Sequence, residues 1–290
     1  MIWRGRMHML YIITAMHCEA KPFIREYGLK RDDSARFFEI YKSTSMVLII
    51  SGIGKMRAAI ATAHILSRIE PEEDSAVLNI GTCGSILKEF PIGTPVLINK
   101  IRDEESGREY YPDMLLLDID IVQGSLATHN AVIARKDIEQ NYDKKVGYPE
   151  HIDMEGSGFF QAAEKFMGPH QIYVIKVISD FLEGDRLDNI YITDCMEKAL
   201  PRIKNVLEHI SVFCRQAVKR DIFTSEEKTI LEKLADHLRL TNYQRHQLYN
   251  MARAYKIRTG LRVPEFKEFM EVDFKAKEEG KVLFRQVCKV

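Results

Sequence analysis

Short apolar runs alternate with amphipathic segments from Leu10 to about Cys214. Runs such as "LYIITAM", "MVLIIS", "AVLNIG" and "IYVIKVIS" have the length and the apolar content of strands that are covered on both faces. Segments between them, such as "KMRAAIATAHILSRIE", repeat apolar residues at helical spacing. The alternation predicts an α/β fold with three layers, α/β/α, around a central mixed sheet.

The sequence changes character near residue 219. The segment 219–290 contains no convincing strand pattern and carries 16 Lys or Arg against 11 Asp or Glu. Within it, the stretch 239–262 holds six Lys or Arg, three tyrosines and no acid. We therefore predict two domains, an α/β domain over residues 1–218 and a basic, all-helical C-terminal extension over residues 219–290.

Two capping signals predict where helices of the extension begin. Thr224 is followed three residues later by Glu227, and Thr241 by Gln244. This spacing is that of a capping box, in which each side chain bonds the other residue's backbone N–H. Two helices forming a hairpin are expected.

Overall composition excludes several classes of protein. Forty-two basic residues balance 42 acidic ones, so no global field indicates nucleic acid or a membrane surface. The first apolar run is shorter than a bilayer-spanning helix, and no signal-peptide cleavage pattern follows it. The five cysteines are scattered and form no CxxC pair, which favours reduced thiols in the cytoplasm over disulfides or structural zinc.

Three predicted strands deliver a carboxylate at or just after their carboxyl ends. Glu19 follows the first strand, Glu155 follows "HIDM", and Asp180 ends "IYVIKVISD". In open α/β sheets the ligand crevice lies at this edge, and the turns "SGIGK" and "GTCGS" let backbone amides approach a ligand there. One acid could protonate a leaving group, one could activate water and one could hold hydroxyls, as cleavage of a glycosidic bond requires. Burial would favour the protonated form of such an acid.

Each acid also has a structural explanation. Asp180 could be a turn or helix-cap residue, and Glu19 and Glu155 could be first-turn acids favoured by a helix dipole. Other motifs are absent: "SGIGK" has neither the upstream glycine of a phosphate-binding loop nor the third glycine of a dinucleotide fingerprint. No HExxH motif occurs, and Cys83 has no histidine placed by sequence to activate it, so a packed thiol is favoured. We predict no metal and no cofactor.

The ordered motifs "AMHCEA", "SGIGKMRAAIA", "LNIGTCGSI", "DMEGSGFFQAA" and "VISDF" resemble the nucleoside phosphorylase and nucleosidase superfamily. Among its members, the chain most resembles the 5′-methylthioadenosine/S-adenosylhomocysteine nucleosidases. The resemblance runs from about Met9 to Cys214. It implies that Glu19 activates the attacking water and that Asp180 protonates purine N7 as the bond to the sugar breaks.

The resemblance also implies contacts with the substrate. Glu155 would hold the ribose hydroxyls above Met154, Met16 and Ile53 would line the 5′ pocket, and Ser179 would assist Asp180. The other substrate contacts that it implies are Gly84, Val132, Ile133 and Phe181.

The resemblance leaves water and phosphate as alternative acceptors. Phosphorylases of the superfamily carry an arginine where this chain has Asn79, and another in the first loop, where this chain offers Glu19. A carboxylate there repels phosphate and suits water, although Lys21, Lys55 and Arg57 are cations nearby in sequence. The prediction is hydrolysis of the N-glycosidic bond of an adenine nucleoside such as 5′-methylthioadenosine, S-adenosylhomocysteine or 5′-deoxyadenosine, with the 5′ substituent left open. The alternative is a purine nucleoside phosphorylase.

Partners are expected to be few. The substrate is a small purine nucleoside, the superfamily suggests a homodimer, and no membrane is involved. An alternative of another class is a non-catalytic nucleoside-binding or nucleic-acid-binding protein, with Arg239–Arg262 as the nucleic-acid surface. A helical cap or dimerisation element is favoured for that stretch, because the chain as a whole is neutral.

Overall fold

The architecture was determined as a computed structural model. It describes residues 9–68, 74–112, 119–141, 148–184, 187–219 and 223–272. The chain divides into two compact units, Met1–Gln216 and Ala217–Val290. The predicted domain boundary between residues 218 and 219 lies close to this division.

The first unit is an α/β fold, as predicted. Its strands are β1 (Leu10–Thr14), β2 (Lys30–Arg31), β3 (Glu39–Lys42), β4 (Met46–Ile50), β5 (Ala76–Ser85), β6 (Pro95–Asp103), β7 (Glu109–Tyr110), β8 (Val122–Thr128), β9 (His151–Asp153) and β10 (Ile172–Asp180). Its helices are α1 (His17–Glu26), α2 (Lys55–Arg68), α3 (Arg135–Asn141), α4 (Gly156–Ala163) and α5 (Asn189–Lys219), the last of which continues into the second unit. The sequence pattern missed the two-residue strands β2 and β7.

The sheet is mixed, and part of it closes on itself. β5 pairs with β1 and β10 in parallel, and β1 pairs in parallel with β4. The circuit then runs from β10 to β6, β8, β9 and back to β5, with antiparallel pairing at β10 with β6 and at β9 with β5. This closure brings the ends of β5, β9 and β10 around one space.

Alternation along the strands builds the two hydrophobic cores. In β1, Leu10 and Ile12 belong to one core while Tyr11 and Ile13 belong to the other. The first core includes apolar residues of α1 and α5, and the second those of α2 and α4. Because successive strand residues point to opposite faces, a sheet with near-continuous apolar strands must be covered on both sides. The three layers are therefore helix, sheet, helix.

The regular secondary structure described in the second unit is all helical. The unit contains α6 (Ser225–His237), α7 (Asn242–Thr259) and α8 (Lys267–Met270) around a small apolar core. Both predicted capping boxes are confirmed: Thr224 Oγ1 accepts from the Glu227 amide, and Thr241 Oγ1 accepts from the Gln244 amide. No helix within the described residues is long and apolar enough to cross a membrane.

Candidate active site

A cavity of about 500 Å³ opens where the ends of β1, β5, β9 and β10 meet. Its size is in the range of small-molecule sites. The residues predicted from the sequence that line it are Met16, Glu19, Ile53, Gly84, Val132, Ile133, Met154, Glu155, Ser179 and Asp180. The three predicted acids therefore face one cavity, although they come from distant parts of the chain.

Glu19 lies in the first turn of α1 and is held by four hydrogen bonds. Its Oε2 accepts from the backbone amides of Ala15 and Met16, both at 3.0 Å. Its Oε1 accepts from the Thr82 amide at 2.8 Å and from the Thr82 hydroxyl at 2.9 Å. The carboxylate is buried and fixed between β1 and β5, and the Thr82 hydroxyl is the donor that can rotate away.

Asp180 is turned towards the cavity by an irregularity in β10. The pairing of β10 with β5 skips one residue, so that Ile178 faces Cys83 and Asp180 faces Gly84. Such a bulge redirects the side chain that follows it. Asp180 is partly exposed, whereas the rest of its strand is buried.

The Ser179 hydroxyl stands between Asp180 and a carbonyl. Its Oγ lies 2.8 Å from Asp180 Oδ2 and 3.1 Å from the Cys83 carbonyl oxygen. A carbonyl can only accept, so a hydroxyl that donates to it keeps its own oxygen available as an acceptor. Ser179 can therefore bond Asp180 whether or not that carboxyl carries a proton.

Glu155 lies two residues after the end of β9, at the N-cap of α4. Its Oε1 accepts from the Gly54 amide at 2.8 Å, which ties it to the "SGIGK" turn. Its Oε2 lies 3.9 Å from Lys176 Nζ. Lys176 in turn lies 2.8 Å from Asp153 Oδ2, and the side chains of both residues are buried almost completely.

Burial sets the pKa of Glu155, whereas neighbouring charges set that of Lys176. Burial raises the pKa of Glu155 to about 7, against the influence of Lys176, with the negative charges of Asp153 and Glu19 adding to the increase. Burial alone would lower the pKa of Lys176, but the charges of Asp153 and Glu155 hold it above its ordinary value. Glu155 therefore changes its protonation state near neutral pH.

Two residues of this group, Asp153 and Lys176, were not among the predicted site residues. The sequence does indicate that Lys176 is unusual, because it is the single charged residue within the apolar run of β10. A lysine in a strand buried on both faces needs a partner of opposite charge. That partner, Asp153, is the residue two positions before Glu155.

One predicted contact lies elsewhere. Phe181 is not among the residues lining the cavity, because its ring packs with the apolar core on the α2 and α4 side. Lys88 Nζ lies 5.9 Å from the centre of that ring. The chain turns sharply at the next residue, Leu182, which has a positive φ of 63°.

The lining residues include four carboxylates and no lysine or arginine within the described part of the chain. The three cations that stand near the site in sequence do not line the cavity. Lys55 Nζ pairs with Asp103 Oδ2 at 2.9 Å, while Lys21 and Arg57 are exposed. The cavity offers an anionic and apolar surface, which is unfavourable for a phosphate ion.

No group of three or more His, Cys, Asp or Glu side chains among the described residues is arranged to hold a metal ion. Cys83 is buried, and burial raises the pKa of its thiol. A thiol that stays protonated is a poor nucleophile, in agreement with a packing role.

The basic stretch of the C-terminal unit is partly neutralised by two acids of α6. Lys256 Nζ lies 2.6 Å from Glu227 Oε2 and Arg245 Nη2 lies 2.5 Å from Asp236 Oδ1. Glu227 also accepts from the Val263 amide at 2.9 Å, so this pair forms part of the unit's core. These pairs reduce the positive charge available to a nucleic acid.

Comparison with known proteins yields one family. A profile of the phosphorylase superfamily matches residues 10–211. A 5′-methylthioadenosine/S-adenosylhomocysteine nucleosidase of Bacillus licheniformis is 26% identical over 166 residues, which cover 48% of this chain and 70% of that protein.

Solved structures share the fold at low sequence identity. The 5′-methylthioadenosine/S-adenosylhomocysteine nucleosidase of Helicobacter pylori, crystallised with butyl-thio-DADMe-Immucillin-A, superposes with a TM-score of 0.59 at 16% identity. The match covers 70% of this chain and 98% of that one. Futalosine hydrolase of the same organism gives a TM-score of 0.59 at 15% identity, covering 69% of this chain and 97% of that one.

Proposed function

Because this chain belongs to the phosphorylase superfamily, we propose that it hydrolyses the N-glycosidic bond of a purine nucleoside, with adenine as the base. The observation that carries the proposal is the meeting of Glu19, Glu155 and Asp180 around one cavity. Its matched relatives include nucleosidases named for 5′-methylthioadenosine and S-adenosylhomocysteine.

Each acid has a separate task in the proposed reaction. Asp180 gives its proton to purine N7 while the bond between N9 and C1′ of the ribose breaks. Glu19 takes a proton from the water that attacks C1′, and the Thr82 hydroxyl turns away to make room for that contact. Glu155, in its ionised form, accepts hydrogen bonds from the two ribose hydroxyls. The products are the free base and a pentose derivative with a hydroxyl at C1′.

Water is favoured over phosphate as the acceptor. A phosphorylase must hold a phosphate ion beside C1′, and cations or backbone amides usually do so. The described lining carries four carboxylates and no lysine or arginine, and Asn79 is committed to the carbonyl of Ile13 at 3.1 Å. A carboxylate beside the attacking group repels phosphate and accepts a proton from water.

The 5′ substituent is proposed to be small and apolar. Met16 and Ile53, the residues that resemblance assigns to the 5′ end, are both apolar, and Leu187 and Ile192 add to the apolar lining. The charged amino-acid group of S-adenosylhomocysteine and the carboxylate of futalosine would meet no cation among the described lining residues. We expect 5′-methylthioadenosine and 5′-deoxyadenosine to be cleaved with the higher kcat/KM.

A product assay tests the proposal. The full chain is incubated with 5′-methylthioadenosine, 5′-deoxyadenosine, S-adenosylhomocysteine, futalosine or inosine, with and without phosphate, and base and sugar are identified by mass spectrometry. Adenine and the free sugar in phosphate-free buffer are expected. Sugar 1-phosphate with a strict phosphate requirement would favour a phosphorylase, and the absence of release from every nucleoside would favour a binding protein. Asp180→Asn protein purified in parallel controls for contaminating nucleosidases.

A homodimer is proposed as the working assembly, on the resemblance to the superfamily. Exposed apolar side chains support it: Phe37 is 79% exposed, and Met56 and Ile60, near the start of α2 and in its middle, are 72% and 57% exposed. Ile53, just before α2, is 49% exposed and also lines the cavity. A second copy covering these residues would lie at the mouth of the site.

The cellular location and the C-terminal extension complete the proposal. We take the cytoplasm as the location, on the cysteine pattern. We propose that residues 219–290 form a separate helical extension, which serves as a helical cap or as a dimerisation element. The ion pairs of Lys256 and Arg245 favour this role over nucleic-acid binding.

A further inference from the structure

The turn that follows β10 has a strained backbone. Leu182 adopts a left-handed conformation with φ of 63°, which is unfavourable for a residue with a branched side chain. Its amide donates to Asp180 Oδ1 at 2.8 Å. The conformation of Leu182 therefore decides where one oxygen of the proposed acid lies.

The space around Leu182 is shaped to accept it. Its side chain is buried and fills the position next to Gly84, where a Cβ atom would stand only 2.1 Å from Leu182 Cδ2. Packing explains where the side chain goes. It does not explain what holds the backbone in a strained state, which requires partners for the carbonyl groups of the turn.

Those partners come from Arg135, the first residue of α3. Its backbone amide donates to the Leu182 carbonyl at 2.8 Å, and its Nε lies 3.4 Å from the Phe181 carbonyl oxygen. Its Nη2 donates to the Ile86 carbonyl at 3.0 Å, directly after β5. One residue thus joins the ends of the two parallel strands β5 and β10.

Arginine suits this task better than lysine. The planar guanidinium presents several N–H groups in a fixed arrangement, so it can bond two carbonyls of different strands at once. Lysine offers a compact ammonium on a flexible chain and cannot reproduce that planar geometry.

We propose that Arg135 is a positioning residue for the cleavage reaction. It holds the turn formed by Phe181 and Leu182. The Leu182 amide then fixes Asp180 Oδ1, and Asp180 Oδ2 stays beside the Ser179 hydroxyl. The inference rests on the proposed function, in which Asp180 is the proton donor. Arg135 touches no reacting atom and acts through Asp180.

A double-mutant cycle tests this role. Arg135→Met keeps approximately the length of the side chain and removes the guanidinium hydrogen bonds to Phe181 and Ile86. The backbone amide bond to the Leu182 carbonyl remains. We expect kcat for 5′-methylthioadenosine to fall about 10- to 100-fold, because a misplaced catalytic group costs rates of this order. KM should change by less than about threefold, since ground-state contacts remain. In the Asp180→Asn background the same substitution should lower kcat by less than about twofold, because a residue acting through Asp180 has no further effect once that acid is absent.

The outcomes separate the inference from the proposed function. If Asp180→Asn alone keeps full activity, the assignment of the acid is wrong. If Asp180→Asn is inactive as expected but Arg135→Met lowers kcat equally in both backgrounds, Arg135 has a general structural role and the inference is overturned. Arg135→Lys is the second variant, measured if Arg135→Met does not fold. It retains the charge and the backbone amide, and an activity equal to wild type would also overturn the inference.

Lys88→Gln is the matched control. Lys88 Nζ pairs with Glu183 Oε1 at 2.6 Å in the same turn, but both side chains are more than half exposed and neither bonds a turn carbonyl. Removing this contact should leave kcat within about twofold of wild type, as is usual for exposed ion pairs.

Discussion

Lys176 and Asp153 form a buried ion pair beneath the candidate site, with 2.8 Å between Nζ and Oδ2. Asp153 is also bonded by the Thr128 hydroxyl at 2.7 Å and by the Gly156 amide at 2.7 Å. Both carboxylate oxygens of Asp153 therefore accept hydrogen bonds from the protein. It connects β9 with β10, which are not hydrogen-bonded neighbours in the sheet.

Removing the lysine should destabilise the α/β unit strongly. Lys176→Met leaves Asp153 and Glu155 buried without their cation, and breaking a buried pair in this way costs about 3 to 5 kcal/mol. Chemical denaturation at neutral pH measures the loss of unfolding free energy. The control is Arg25→Met, which breaks an exposed pair with Glu197 and should cost below about 1 kcal/mol. Equal losses for the two variants would contradict a structural role for the buried pair.

Substrate binding should weaken as the pH falls through about 7. The pKa of Glu155 is raised to about 7 by burial, so below that pH the carboxyl carries a proton and can accept fewer bonds from the ribose hydroxyls. Titration calorimetry of 5′-methylthioadenosine with the Asp180→Asn protein, over about pH 5 to 9, follows binding without turnover. Glu155→Gln should bind more weakly and show a flatter profile.

Protonation of Glu155 should weaken substrate binding but stabilise the folded chain. An acid whose pKa is higher in the folded than in the unfolded chain binds more protons when folded, so its contribution to stability falls as the pH rises from about 4.5 to about 7. Glu155→Gln should remove this contribution from a plot of the free energy of unfolding against pH.

The binding prediction has its own contrary outcome. If substrate binding by the Asp180→Asn protein does not change with pH across this range, Glu155 does not hold the substrate through its ionised form.

Replacing the proposed acid should separate binding from turnover. Asp180→Asn keeps the shape of the side chain but cannot give a proton to the purine, and loss of a general acid lowers kcat by about 100-fold or more. Calorimetry should still detect the nucleoside, since Glu155 and the apolar lining are unchanged. Full activity of this variant would mean that another group protonates the base.

The exposed apolar side chains near α2 should govern assembly. Ile60→Lys places a charge within the proposed contact between copies, so sedimentation velocity should change from dimer to monomer. The KM for 5′-methylthioadenosine should rise, because Ile53 at the cavity mouth loses its cover. Val212→Lys is the control, since Val212 is an exposed apolar residue on α5 at 47% exposure. A wild-type chain that sediments as a monomer at micromolar concentration would rule out this assembly.

Much of the local structure follows from the sequence. Strands β1, β4, β5 and β10 coincide with runs that the apolar pattern indicated. The helix starts at Ser225 and Asn242 follow from capping boxes, whose bonds join residues only three positions apart. Such features are predictable because neighbouring residues decide them. The two-residue strands β2 and β7 were missed, since so short a segment carries no measurable period.

The position of Glu155 shows where local reasoning ends. Parallel strands share a carboxyl edge, which accounts for Glu19, in the helix that follows β1, and for Asp180, at the end of β10. β9 runs antiparallel to the end of β5, so that rule alone does not bring Glu155 to the same cavity. The closed circuit of strands does so, and it depends on pairings between residues far apart in the chain.

The sequence by itself determined the layers, the longer strands and the three acids at or just after strand ends, because apolar periodicity and strand ends are local properties. The tertiary structure decided which charges meet. It paired Lys176 with Asp153, set the pKa of Glu155 through burial, and tied Arg135 to the turn after Asp180. These relationships depend on distances between segments, on strand register and on exclusion of water, none of which a single stretch of sequence encodes.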